Sequence, residues 1–256
     1  MVSIHIVQHT GNKNGLMAAR TWSKRQFLRG GLAVAGLGAA TMPLMTAPVR
    51  AAEPNAPKEP STLKFDLFRK GSHVGVHELQ FTPRGDGFVV RNNVDIAVKI
   101  AFITAYSFRQ EAVDEWWMDA DCNEQLLTSS VAASVEDGDK TKFEAAQDGD
   151  MLKVAGHDGE KILPIGAMTD LCFWNKDIVA KKQLISTQFG LLANLTVEEP
   201  AIERVIANGV LREAERYSMT TDVDRQGTIW YDRRDGSWIK GQLISKGETI
   251  EYELAA

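Results

Sequence analysis

Acidic residues are absent from the first 51 positions of this sequence, which nevertheless carry six of its 29 basic residues: Lys13, Arg20, Lys24, Arg25, Arg29 and Arg50. The remainder therefore holds 23 basic against all 34 acidic residues, a net charge near −11. So negative a surface excludes nucleic acid and anionic lipid headgroups as electrostatic partners. Cysteine is nearly missing too. Cys122 and Cys172 are the two in the chain, with no Cys-x-x-Cys, so neither a thioredoxin-type redox motif nor a cysteine-rich zinc site is expected. Beyond residue 51 there are three histidines, His73, His77 and His157, and the chain has no Gly-x-Ser-x-Gly elbow and no phosphate-cradling glycine loop. No catalytic residue, metal site or cofactor is expected from this inventory.

What the first 51 residues do contain is an address. Ser23-Lys24-Arg25-Gln26-Phe27-Leu28 precedes a mildly apolar, Gly/Ala-rich run from Gly30 to Val49, followed by Val49-Arg50-Ala51. A basic start, an apolar middle and a small-residue end make a signal peptide, with cleavage expected after Ala51. The residues Ser23, Lys24, Arg25, Phe27 and Leu28 resemble a twin-arginine signal whose first arginine is lysine. An ordinary secretory signal is the alternative. Glycines and Pro43 interrupt the run, so no stable membrane span is expected to remain in the mature protein. The export machinery is thus one expected partner, the periplasm the expected location, and Met17 the expected true start. Residues 52–61, with three prolines, read as a disordered linker, leaving 62–256 as a single domain.

That domain has a period of two. From Val90 to Phe108 the even positions read Val, Asn, Val, Ile, Val, Ile, Phe, Thr, Tyr and Phe, while the odd ones include Arg91, Asp95, Lys99 and Arg109. Such alternation gives a sheet with one greasy and one wet face, and its length requires a reversal near Lys99 to Ile103. Further strands are expected at 63–69, 74–82, 126–135, 142–147, 151–155, 191–198, 210–221, 228–232, 237–245 and 249–254. Turns such as Lys70-Gly71, Asp137-Gly138, Asp148-Gly149 and Asn208-Gly209 join neighbours as hairpins. The fold class is therefore mainly β: an antiparallel up-and-down meander of about a dozen strands, curling into an open barrel or clam. Alternation fails from Leu163 to Ser186, which becomes a short helical or loop lid.

Few residues suggest chemistry. His73 and His77 lie about 13 Å apart along a strand, too far for one zinc to join them locally. Asp119-Ala120-Asp121-Cys122-Asn123 opens like a calcium loop but lacks the later glycine and glutamate, so a polar turn is expected instead. Cys122 and Cys172 could pair in an oxidising compartment or be exported as thiols; both alternatives stand. Trp116 and Trp117 must face opposite sides of a strand, Trp116 with the greasy set.

The stretches Leu63–His77, Cys172-Phe173-Trp174-Asn175, Thr228–Trp238 and Ile250–Leu254 resemble a proteobacterial family of exported proteins known only as a domain of unknown function. That resemblance implies no activity. The opening hairpin and closing strands are more distantly similar to periplasmic β-clam lipoprotein carriers, which implies a curved sheet able to hold acyl chains. Three functions remain open. The first is an apolar small molecule or lipid held in the concave face, lined by Tyr106, Trp116, Trp174 and His77. The second is an envelope structural or assembly role through protein contacts, and the third, with least support, is an enzyme.

Overall fold

The computed structural model describes residues 57, 59–100, 103–119, 124–157, 159–223, 225–245 and 247–255. All belong to one compact unit, Val49–Ala256. The signal motif, Met17, the Ala51 cleavage site, linker residues 52–56 and 58, Cys122 and the rest of the segment 120–123 lie outside the described residues, and Ser61, expected as the linker's last residue, opens the first strand.

The first half of the domain is β1 (Ser61–Arg69), β2 (Ser72–Arg84), β3 (Gly87–Ile100), β4 (Ile103–Asp119), β5 (Glu124–Glu136), β6 (Asp139–Asp148), β7 (Met151–Gly156) and β8 (Gly159–Pro164). Two short strands follow, β9 (Met168–Thr169) and β10 (Gln183–Ser186), separated by a 3-10 turn at Lys176–Ala180. The second half is β11 (Leu191–Val197), β12 (Ala201–Ala207), β13 (Val210–Thr221), β14 (Arg225–Asp232), β15 (Trp238–Ser245) and β16 (Glu248–Leu254). Lys70-Gly71, Asp137-Gly138 and Asn208-Gly209 each place both turn residues at positive φ, the geometry of a two-residue hairpin whose twist matches its strands.

Hairpin chemistry makes nearly every neighbour in sequence a neighbour in the sheet. One pairing is long-range: β1 zips antiparallel onto β16, with Phe65 opposite Leu254 and Leu67 opposite Tyr252. The order β8-β7-β6-β5-β4-β3-β2-β1-β16-β15-β14-β13-β11-β10-β9, with β12 also on β13, is therefore a meander joined at its termini. Its two edges, β8 and β9, come from the middle of the chain. The sheet curls but does not close by strand pairing.

The inner face carries the core, including Phe65, Leu67, Leu79, Phe88, Leu127, Phe143, Leu152, Ile229, Tyr231 and Trp238, all buried. Each large side chain removed from water contributes about 1.5–3 kcal/mol. Trp116 is buried with this set, whereas Trp117 points out and is 43% exposed, as strand parity requires. A smaller cluster of Ala207, Ala214, Trp230 and Ile239 forms separately.

Residues 165–190 make the lid. It begins two residues later than alternation suggested, because β8 takes Leu163 and Pro164, and it runs on to Gly190. β8, β12 and the short β9 and β10 within the lid were not anticipated. β8 mixes Glu160, Lys161 and Pro164, residues that an edge strand tolerates because one side of it needs no ladder bonds. At the lid's end His157 donates its backbone N–H to Phe189 O at 2.9 Å. Gly156 and Gly190 touch there; a Cβ on either would lie 2.3 Å from the other's Cα. Among the described residues no helix is long and apolar enough to cross a membrane.

Candidate functional site

The lid lies across the inner face and is fastened by side chains from several strands. Asn92 on β3 donates to Leu171 O at 3.3 Å, and Tyr231 on β14 donates to Phe173 O at 2.9 Å. Asn175 donates to Gln125 Oε1 at 2.9 Å, while its own Oδ1 accepts from Asp177 N and starts the 3-10 turn. Lys176 pairs with Glu215 at 2.8 Å. At the rim, Arg225 holds Asp170 through one nitrogen and Gln188 through another. Asp170 in turn accepts from Thr187 N and Oγ1, Thr187 accepts from Gln110, and Gln188 donates to Glu136.

Under the lid the sheet offers an aromatic slot, and Trp174 fills it. Its ring sits edge-on to Trp116 and Phe81, both at 5.2 Å, and to Phe88 at 5.6 Å. Phe88 and Trp116 are cross-strand partners and stack on each other at 6.2 Å. Trp116 and Trp174 are thus brought together, but they pack on one another and on their neighbours.

The other two residues expected to line a cavity go elsewhere. His77 is buried with Nε2 2.7 Å from Asn92 Oδ1, and its ring lies 5.7 Å from those of Trp238 and Tyr252. Burial pushes its pKa down to about 4, outweighing the hydrogen bond to Asn92, so it is neutral at physiological pH. Tyr106 lies at the rim, its hydroxyl donating to Glu136 at 3.1 Å. Burial first, then the Glu136 charge, raises its pKa. His73 is exposed, 3.4 Å from Asp66. Cys172 is buried, with Sγ 3.1 Å from Thr169 Oγ1.

Beside the slot sits a group that the sequence reading passed over. Asp114 is fully buried two residues before Trp116 on the same face of β4, opposite Val90 of β3 and Ser130 of β5. Ser130 is the one neighbour that favours its ionised form, yet neither carboxylate oxygen nor the Ser130 hydroxyl completes a hydrogen bond within the described residues. Burial, helped by the Asp170 charge, pushes the Asp114 pKa up to about 7. Cys172 lies close enough above it that the Asp114 charge, after burial, raises the thiol pKa.

Unpaired buried polar atoms concentrate here. Among the described residues eight are found once the Arg216–Glu203 ion pair is allowed for, and seven belong to the lid or the inner face: His77 Nδ1, both Asp114 oxygens, Trp116 Nε1, Ser130 Oγ, Trp174 Nε1 and Ser186 Oγ. Five of them, on Asp114, Ser130, Trp116 and Trp174, fall on adjoining residues where the lid meets the sheet, and each such group costs about 1–3 kcal/mol. Among the described residues no group of three His, Cys, Asp or Glu side chains is arranged to hold a metal ion. A groove of 490 Å³ opens by the exposed Trp117 and the Arg84–Glu115 ion pair, and its lining includes Phe88 and Trp116 of the slot as well as Thr128 and Gln147.

In fold the chain is similar to a crystal structure described as a β-barrel-like protein of domain of unknown function DUF1849 from Brucella abortus. The two share 12% identity, with a TM-score of 0.52 over 77% of this chain and 96% of that one. That likeness is one of architecture. No curated protein matches the chain in sequence. The expected membership of a family without assigned activity is met by a family model covering residues 65–255: the chain belongs to the family described as Domain of unknown function (DUF6134).

Proposed function

We propose that the mature domain is a periplasmic protein that holds an apolar ligand or lipid between its lid and the concave face of its sheet. The observation that carries this reading is the run of five unpaired polar atoms on Asp114, Ser130, Trp116 and Trp174, where the lid meets the sheet. The lid covers the core without making the interface complete, which is the character of an exchangeable cover. Its fastening supports the same reading. Five of its anchors are side-chain hydrogen bonds or ion pairs, from Asn92, Gln125, Glu215, Arg225 and Tyr231. Trp174 occupies the slot in the closed form, and a ligand's chain would take its place when the lid lifts.

Native mass spectrometry of protein gently purified from its own envelope tests this. A bound amphiphile of defined mass is expected; an empty monomer under conditions that retain weak ligands refutes it. A second reading, contact with another envelope protein, rests on the β12–β13 hairpin. Ile202, Ile206, Val210 and Leu211 are each more than half exposed there.

A further inference from the structure

We propose that the ligand's polar head carries a cationic amine, received by Asp114 next to Trp116 in the aromatic slot. This rests on the reading of the lid as an exchangeable cover and specifies the chemistry of that same site.

The argument starts from charge. The groups that face Asp114 are Val90 from β3, Ser130 from β5, and Cys172 with Asp170 from the lid. Among these there is no cation. The nearby guanidinium of Arg225 is committed to Asp170 and Gln188. A fully buried carboxyl without a counter-charge or a donor is among the costliest arrangements a core can hold. A ligand that brings the missing positive charge removes that cost, whereas a carboxylate or phosphate head would add a third negative charge beside Asp114 and Asp170.

The walls point the same way. Trp116, two residues along β4 from Asp114 on the same buried face, presents an aromatic ring that attracts cations in a water-poor site once Trp174 has left it. The unpaired, buried indole N–H of Trp116 calls for a neutral acceptor such as a hydroxyl or carbonyl oxygen on the same molecule. Phe81 and Phe88 continue the slot with purely apolar surface suited to a hydrocarbon chain. The class is therefore an amine-bearing amphiphile.

The test compares dodecylamine with dodecanoate, each below its micelle concentration, on delipidated protein at pH 8 by isothermal titration. The amine is expected to bind at least about tenfold more tightly than the acid. In Asp114→Asn that preference is expected to fall to within about threefold, by weaker amine binding. A merely structural role for Asp114 would change both affinities together and leave their ratio intact. Equal or tighter binding of dodecanoate, or an unchanged ratio in the variant, overturns the head-group assignment while leaving the carrier reading in place. Binding of neither probe overturns both and assigns the unpaired atoms to buried water.

Discussion

Replacing Asp114 by asparagine should stabilise the ligand-free protein, and by an amount that grows with pH. The carboxyl's pKa rises from 3.8 to about 7 on folding, with burial as the main cause. Between those values the folded state holds a proton that the unfolded chain has released, so stability falls as pH rises through that window. At about 1.4 kcal/mol per pH unit, the penalty is about 1 kcal/mol at pH 4.5 and roughly 4 kcal/mol at pH 8. Asparagine has nearly the same shape and carries none of it. For a domain of this size the variant should melt about 8–16 °C higher at pH 8.

Denaturant titration of both proteins at pH 4.5 and 8 measures the gap. Taking the difference at each pH isolates Asp114 from His77, whose lowered pKa acts in the opposite direction: neutral in the fold, it costs stability as pH falls below 6.5. A gap that does not widen by at least about 2 kcal/mol between the two pH values refutes the picture of an unpaired buried carboxyl. It would mean that Asp114 has a partner, and the inner site would lose its charge.

Three further outcomes follow from other parts of the molecule. Arg225→Ala releases Asp170 and Gln188 from the rim, so hydrogen exchange across residues 165–190 should speed up about tenfold while β1–β4 stay protected; uniform acceleration would mean that the lid does not open on its own. Asp232 accepts from Arg212 and Arg234, which hold its pKa well below the ordinary carboxylate value. Asp232→Asn should cost about 1–2 kcal/mol at pH 7 by denaturant titration, a difference that shrinks as pH falls below about 4. Arg25→Lys should keep a reporter fused after Ala51 in the cytoplasm, and undiminished export of that fusion would exclude the twin-arginine route.

Much of this architecture was legible in the chain because two-residue alternation and Asx-Gly turns are local signals. The pairing of β1 with β16 was not, since nothing in either strand names a partner across the whole domain. β12 escaped notice because Ala201–Ala207 is apolar on both faces, Ile202 and Ile206 on one and Val205 and Ala207 on the other, so no greasy side stands out. Asp114 is a different case. It occupies the same even-numbered register as Tyr106, Phe108, Ala112 and Trp116, and a carboxylate in a buried register was there to be noticed. His77 and Trp174 fell into different aromatic clusters because strand parity fixes the face a residue points to, not its position across sixteen strands.

The topology also explains why the lid, rather than the sheet, would be the part that moves. Joining β1 to β16 places both chain ends of the domain in the continuous middle of the ladder, and leaves both sheet edges next to residues 165–190. Lifting the lid away from β3–β5 breaks side-chain bonds from Asn92 and Gln125 and withdraws Trp174 from its slot. It breaks no rung between β1 and β8. Each such bond contributes about 0.5–1.5 kcal/mol net, and lifting also exposes the lid's buried Leu171, Cys172 and Ile178, but it leaves the core between the strands covered by the ladder intact. A cover fixed in this way opens as a smaller cooperative unit than the sheet beneath it. A strand that closed the barrel by ladder pairing could expose the same slot only by breaking the sheet, whereas here the part of the lid over β3–β5 is held by side chains and its ladder to the sheet, β10 on β11, can stay paired as a hinge.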